Sequence, residues 1–542
     1  MAAGSLTRDD LPGAPRRRPG GRLGLASRAA GPIVAASAAV LIAAPWLDQR
    51  LVWSGWLGTA VALLMIDRIR GWWAECLVMA GAVMAIAIAF HWTPAALATA
   101  MAANDTIGLA IATPIAAWDA LRLALPLLIA ARLRGRPEAA WLPAALVAVV
   151  AEATLPAVFP WKLGYSQVGW PVVVQSVDLL GPEWSTFVAF AHAGLLAWLI
   201  RAAATALPRQ PRDRSPLRIP GAVVAAAVLC MANTVYGVAA IAAWTHIAAV
   251  APTASLTVVQ GDPNAPDGLE ALRELTERAC ANRAAPTLVC WPECSGGTYA
   301  ESLTSLADAD HVLANSRPPQ AGLRPWERPR HPHLFGGKIY RGHPEKPRAI
   351  HQAALLVDPA LAIRGTYHKR HLMPFGEYVP AAAWLPDLAR RFAMQDVLTP
   401  GTDATVLALG DARIGVLLCY EDMLPEAARS LVDNSATVLV SLINGAAFPS
   451  DVTLAQHRML AQLRAIENRR ALVRCAATGE TCIVSPVGTL AARLPLHVPA
   501  VLQADVPLLD AWTPARRLAV VWPAACAAAL AIRLIPRTRR TP

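Results

Sequence analysis

The chain has 542 residues, of which 55% are hydrophobic and only 16% charged. Soluble domains carry about 25% charged residues, so the apolar excess has to sit somewhere other than a water-facing surface. The formal net charge of +11 does not point to nucleic acid. The Arg residues cluster beside apolar runs, and no basic face interleaved with aromatics is visible.

Residues 1–30 are basic and rich in Gly and Pro, with Arg16, Arg17, Arg18, Arg22 and Arg28, and read as a disordered tail. Apolar runs follow near 31–47, 51–66, 72–91, 112–131, 139–158, 185–206, 221–247 and 517–535. Each approaches the roughly 20 residues a helix needs to cross a bilayer. They are apolar all round, unlike the one-sided helices of soluble proteins. No cleavage site ends the first run, which reads as an uncleaved span. The expectation is seven transmembrane helices over 31–247, and a final one with a basic tail over 515–542.

Basic residues mark alternate loops: Arg68 and Arg70; Arg132, Arg134 and Arg136; Arg209, Arg212, Arg214 and Arg218; and the tail residues Arg537, Arg539 and Arg540. The positive-inside rule puts these and both termini in the cytoplasm. The large segment 248–514 then faces outward. Arg516 and Arg517 oppose the rule on the outer side of the last span. The outward loop 159–184 begins Phe-Pro-Trp-Lys-Leu-Gly-Tyr-Ser-Gln. It is either an interfacial aromatic belt or a lipid-facing entrance to a site.

Segment 248–514 is richer in charge, and short β-rich runs alternate with helical patterns. Strands are expected at Leu256–Gln260, Thr287–Trp291, Leu334–Tyr340, Ala353–Val357, Ile414–Leu418, Thr437–Leu442 and Ala471–Ala476. Helices are expected at Gly268–Asn282 and Ala455–Arg470. That alternation predicts an α/β domain.

Three stretches at strand ends carry chemistry: Val289-Cys290-Trp291-Pro292-Glu293, Tyr367-His368-Lys369-Arg370-His371 running on to Phe375-Gly376-Glu377-Tyr378-Val379-Pro380, and Leu417-Leu418-Cys419-Tyr420-Glu421. Singly, each has a plain reading: a solvated Glu, a surface Lys, an inert core thiol. Together they supply what thiol chemistry needs, namely a base, a cation and a nucleophile. Cys290 and Cys294 lack a second Cys/His pair at zinc-ligand spacing, so no metal site is expected. Cys475 and Cys482 flank a turn at Thr478-Gly479, and they read as free thiols or as a disulfide in an oxidising compartment.

These stretches, in this order, resemble the Glu-Lys-Cys triad of the carbon–nitrogen hydrolase (nitrilase) superfamily. With Phe-Gly-Glu-Tyr-Val-Pro and the membrane spans, the chain resembles the membrane-bound apolipoprotein N-acyltransferases of bacteria. The resemblance implies a multi-span helical membrane domain joined to an α-β-β-α sandwich over 248–514. It implies Glu293 as general base, Lys369 as oxyanion-stabilising cation and Cys419 as nucleophile. Glu377, Tyr420 and Glu421 would line the site, the Tyr420 N–H completing the oxyanion hole. A membrane phospholipid is the implied acyl donor, and the N-terminal amine of a diacylglyceryl-cysteine apolipoprotein the acceptor. No cofactor is implied, a monomer suffices, and the place of action is the bacterial inner membrane with the catalytic domain on its periplasmic side.

The chain departs from that pattern at Asn444-Gly445-Ala446-Ala447-Phe448-Pro449, where Asp and Trp are missing, and at Cys294-Ser295-Gly296-Gly297. The stretch after Gln260-Gly261-Asp262 is also short. Two alternatives stay open: a membrane-tethered amidase with water as acceptor, and a scaffold with a retired catalytic domain.

Overall fold

The computed structural model describes residues 21–68, 71–101, 103–132, 139–206, 219–281, 288–306, 330–343, 346–378, 398–445, 448 and 450–534. Residues 1–20 and most of the basic residues used to orient the spans lie outside them.

The first part is helical: α1 (Gly21–Leu47), α2 (Val52–Arg68), α3 (Trp72–Ala89), α4 (Thr93–Ala100), α5 (Asp105–Arg132), α6 (Trp141–Thr154), two single turns α7 (Pro171–Val174) and α8 (Val177–Leu180), α9 (Pro182–Ala206) and α10 (Gly221–Val250). The helix α1 starts inside the stretch read as a tail, where Leu and Ala favour helix. A last helix, α14 (Ala515–Leu534), closes the chain. All eight apolar runs form helices. Six helices, α1, α3, α5, α9, α10 and α14, are long and apolar enough to cross a membrane. The helix α6 has only 14 residues, and α2 has 17.

The outer faces of these helices are apolar. On α10, Val224, Val228, Met231, Val235 and Val238 are all exposed, and their spacing makes one stripe along the helix. A bare stripe of this length is unstable against water and stable against lipid. This is a membrane protein.

Between α10 and α14 lies an α/β unit with two sheets. The first has the order β13-β1-β2-β4-β5-β6, with β3 beside β4. Its strands are β1 (Thr253–Gln260), β2 (Leu288–Cys290), β3 (Thr298–Ala300), β4 (His333–His343), β5 (Lys346–Val357), β6 (Ile363–His368) and β13 (Ala500–Pro507). The second has the order β12-β11-β10-β9-β8-β7, built from β7 (Val406–Leu409), β8 (Ala412–Leu418), β9 (Val438–Ile443), β10 (Leu472–Ala476), β11 (Cys482–Val484) and β12 (Leu490–Arg493). The sheets face each other: the Cys475 thiol on β10 reaches the carbonyls of Val259 and Cys290, each at 3.4 Å. The helix α9/α10 pair is followed by α11 (Gly268–Cys280) on the first sheet, while α12 (Pro425–Asp433) and α13 (Asp451–Asn468) connect the parallel strands β8, β9 and β10 of the second. The result is the expected α-β-β-α sandwich.

The helix α13 joins the two halves. It is polar, yet Gln456, His457, Arg458, Gln462, Arg464, Glu467 and Asn468 are all buried, because one side meets the sheet and the other meets the membrane helices. Buried polar groups need partners; most are within the α/β unit, such as Asp422 for His457 and Glu480 for Arg458, and those of Gln456 come from across the junction. Trp92 Nε1 donates to Gln456 Oε1 at 2.9 Å, and Gln456 Nε2 donates to the Ala89 carbonyl at 2.8 Å. Just past the helix, Arg469 pairs with Asp178 at 2.6 Å and donates to Gln175 Oε1 at 2.7 Å.

Candidate active site

Loops at the C-terminal ends of parallel strands are where an α/β sheet presents functional groups. Cys419 follows β8, Asn444 follows β9, Glu293 lies just past β2 and Lys369 directly follows β6. Cys419 has φ +48°, a left-handed conformation that costs a residue with a Cβ about 1–3 kcal/mol. The turn at Cys419–Met423 that follows is fastened by Leu418 N–H donating to Glu421 Oε2 at 2.9 Å.

The three triad candidates come together in one buried cluster. Lys369 Nζ lies 3.6 Å from Glu293 Oε1 and 2.6 Å from Glu377 Oε1. Lys369 is 1% exposed, Glu293 5% and Cys419 6%. Cys419 Sγ points to the Asn444 carbonyl at 3.9 Å. Glu377 Oε2 also accepts the Met373 N–H at 2.7 Å, which folds the 373–377 loop over the lysine.

The electrostatics follow from burial. Burial opposes charge on Lys369, but the carboxylates of Glu377 and Glu293 outweigh it and hold the ammonium well above the usual lysine range. Burial raises Glu293 to about 7, with Lys369 pulling down and Glu377 pushing up. Burial, and then the Glu293 charge, push the Cys419 thiol well above its usual range, against the pull of Lys369. At rest Cys419 is therefore a protonated thiol in the same buried cluster as Glu293 and Lys369.

The remaining expected residues also converge here. The Tyr420 hydroxyl donates to the Val158 carbonyl at 3.1 Å, joining the Cys419 turn to the chain just before the aromatic loop. Glu421 is fully buried. Its Oε1 accepts from Tyr367 Oη at 2.9 Å, Arg370 N at 2.9 Å and His371 N at 3.1 Å. It is a clamp between strand ends rather than a group open to a substrate.

Two cavities meet at Tyr420. The larger, about 1460 Å³, is bordered by Trp118, Asp119, Arg122, Glu152, Arg370 and Val520 among others. The smaller, about 350 Å³, has aromatic and aliphatic walls that include Phe90, Trp92, Leu97, Phe159, Met423 and Phe448. Trp118 and Val520 are also exposed on the outer flank, so the larger cavity reaches the apolar surface. Val158 and Phe159 border these spaces, which favours the entrance reading of that loop over a plain aromatic belt.

Residues 253–516 match the carbon–nitrogen hydrolase family. An apolipoprotein N-acyltransferase from Geobacter metallireducens is 30% identical over 385 residues, 69% of each chain. One from Azotobacter vinelandii is 33% identical over 382 residues, 69% of this chain and 67% of that one. The chain belongs to the apolipoprotein N-acyltransferase family. It is an acyltransferase, which sets aside both the hydrolase and the scaffold readings. Among solved structures, Nit3 of Saccharomyces cerevisiae is 16% identical, covers 54% of this chain and 97% of its own, and has a TM-score of 0.35.

Several features of this acyltransferase were not foreseen. Asp422 is fully buried and accepts from His457 at 2.7 Å, Arg474 at 3.0 Å and Ser441 at 2.8 Å. Burial raises its pKa, but His457 and Arg474 outweigh that and hold it at about 2. Asp119, Arg122 and Glu152 lie inside apolar helices and face the larger cavity. Ionisable residues within spans are a signal of function in their own right. Of the divergent 444–449 loop, Asn444, Gly445 and Phe448 are described, and Phe448 packs on Trp92 with centroids 6.2 Å apart. Cys475 and Cys482 are free thiols.

Proposed function

We propose that this protein moves a fatty acyl chain from a membrane phospholipid, through a Cys419 thioester, to the N-terminal amine of the lipidated cysteine of a lipoprotein. The observation that carries the reading is the convergence of Cys419, Glu293, Lys369 and Glu377 in one buried cluster beside cavities that reach an apolar flank.

In the first half-reaction the Cys419 proton passes to Glu293 as sulfur attacks the ester carbonyl. The Lys369 ammonium and the Tyr420 backbone N–H stabilise the tetrahedral oxyanion. Its collapse breaks the ester C–O bond. Glu293 returns the proton to the departing lysophospholipid. In the second, the amine attacks the thioester carbonyl and gives a proton to Glu293. The C–S bond breaks, an amide forms, and the proton goes back to sulfur.

The smaller, apolar cavity suits the transferred chain, and the larger one suits the polar ends of the substrates. Both substrates are lipid-anchored, and extracting a chain into water costs about 0.8 kcal/mol per CH₂. A catalytic unit packed onto membrane helices avoids that cost. In this reading residues 31–247 supply seven spans, 515–542 the last span and tail, and 248–514 the catalytic unit on the periplasmic side of a bacterial inner membrane. Both termini are cytoplasmic, and a monomer is sufficient.

The test is Cys419→Ser in the purified full-length protein. It should accumulate and fold, yet give no phospholipid-dependent acylation of a diacylated lipopeptide. Normal acylation by that variant would remove Cys419 from the mechanism.

A further inference from the structure

Two carboxylates on adjoining membrane helices each have one oxygen that closes no hydrogen bond, although Trp161 lies beside Asp119 and Thr186 beside Glu152. Asp119 on α5 and Glu152 on α6 are each 5% exposed. Asp119 Oδ1 and Glu152 Oε2 have no hydrogen-bond partner, and both residues border the larger cavity. The cations near them are already engaged. Lys162 Nζ pairs with Glu183 at 2.9 Å and donates to the Glu152 carbonyl at 3.3 Å. Arg122 Nη1 donates to the Trp161 carbonyl at 2.8 Å and Nη2 to that of Leu155. Arg122 Nε closes no hydrogen bond, and Trp161 Nε1, the indole beside Asp119, closes none of good geometry.

This wall carries three carboxylates, Asp119, Glu152 and Glu183, against two cations, Arg122 and Lys162. The α/β unit adds Arg370, His371, Arg429 and the exposed Glu426 to the same cavity, where Arg429 already pairs with Glu467 at 3.1 Å and His371 lies 3.7 Å from Glu421. The carboxylate surplus of the cavity therefore lies on its helical side, where a cationic ligand is drawn. Acidic groups inside a span are costly unless a ligand or partner compensates them, and spare carboxylate oxygens fit a group with several N–H donors.

We infer that Asp119 and Glu152 form a subsite for a primary ammonium group of a substrate. This rests on the acyl-transfer reading above. Two sources carry that chemistry: an amine headgroup on the donor phospholipid, and the α-amine of the acceptor. The cavity also adjoins Tyr420, the residue after Cys419, so a substrate that fills it can reach from this subsite to the Cys419 turn.

The two half-reactions separate the sources. Full-length protein is prepared unsubstituted, as Asp119→Asn and as Glu152→Gln. Asn is isosteric, and Gln keeps an oxygen for the Leu163 N–H that Glu152 Oε1 accepts at 2.7 Å. If Glu152→Gln fails to accumulate, Asp119→Asn carries the test. The acyl adduct on Cys419 is followed by intact mass with phosphatidylethanolamine or phosphatidylglycerol in mixed micelles. Transfer to a diacylated lipopeptide is then followed from the preformed adduct.

Loss of a charged hydrogen bond predicts slowing of about tenfold or more. Slowing of adduct formation from phosphatidylethanolamine alone assigns the subsite to the headgroup. Slowing of transfer alone assigns it to the acceptor amine. Rates within about twofold of the unsubstituted protein in both steps, or equal slowing with both donors and in transfer, overturn the subsite. Absence of any adduct on the unsubstituted protein overturns the acyl-transfer reading, and the subsite with it.

Discussion

The Glu421 carboxylate accepts the Arg370 backbone N–H at 2.9 Å, and so fastens the loop that carries Lys369 to the turn that carries Cys419. The same side chain takes the Leu418 N–H on its other oxygen at 2.9 Å. Glu421→Gln turns an NH₂ group towards these donors and leaves at least one of them unmet, at about 1–3 kcal/mol. The expected result is a lower thermal midpoint in detergent. In lipopeptide acylation, kcat falls while KM changes little, because Glu421 orders the site without holding substrate. An unchanged midpoint with unchanged kcat would refute the clamp.

The pH dependence of adduct formation reports on Glu293. Burial raises its pKa to about 7 from an ordinary 4.5. The base is the ionised form, so activity rises with pH through that region and levels off above it. Below about pH 7 the rate should fall about tenfold per pH unit. A single-turnover pH profile checks this, and an acid limb centred near 4.5 would show that Glu293 is an ordinary exposed-type carboxylate or is not the base.

Asp422 governs stability in acid. Its pKa in the fold is about 2, below the ordinary 3.8. Lowering by His457 and Arg474 means that its contribution is present above the ordinary value and is lost as pH falls from about 4 towards 2. Asp422→Asn leaves the buried Arg474 guanidinium without its charge partner, a loss of about 3–5 kcal/mol. Melting curves across acid pH should show the variant destabilised near neutrality and less sensitive to acid than the unsubstituted protein. Equal midpoints at neutral pH would contradict this.

Much of this arrangement was legible before any coordinates. The three strand-end motifs singled out Glu293, Lys369 and Cys419, which the fold brings into one buried cluster, because each follows an apolar strand that is readable in sequence. Run length and composition located eight helices of the membrane region, although α6 is shorter than a plain span, and did not show the short helices α4, α7 and α8. Short or half-exposed strands such as β7, β11 and β12 were missed, since a few residues carry no readable period. Burial of α13 was hidden for a different reason: its polar residues look solvated, and only the packing of the sheet on one side and the membrane helices on the other buries them. Asp422, next to a recognised motif, looked unremarkable until His457 and Arg474 arrived from other elements. Asp119 and Glu152 could have been noticed as charges inside apolar runs.

The central claim is that Cys419 carries the acyl group. Intact-mass analysis of the purified full-length protein after incubation with phospholipid, without acceptor, tests it most directly. The account predicts a mass increase of one acyl chain, mapped to Cys419, released by adding lipopeptide and absent from Cys419→Ser. Turnover of lipopeptide with no adduct at any time, or an adduct on another residue, would contradict it.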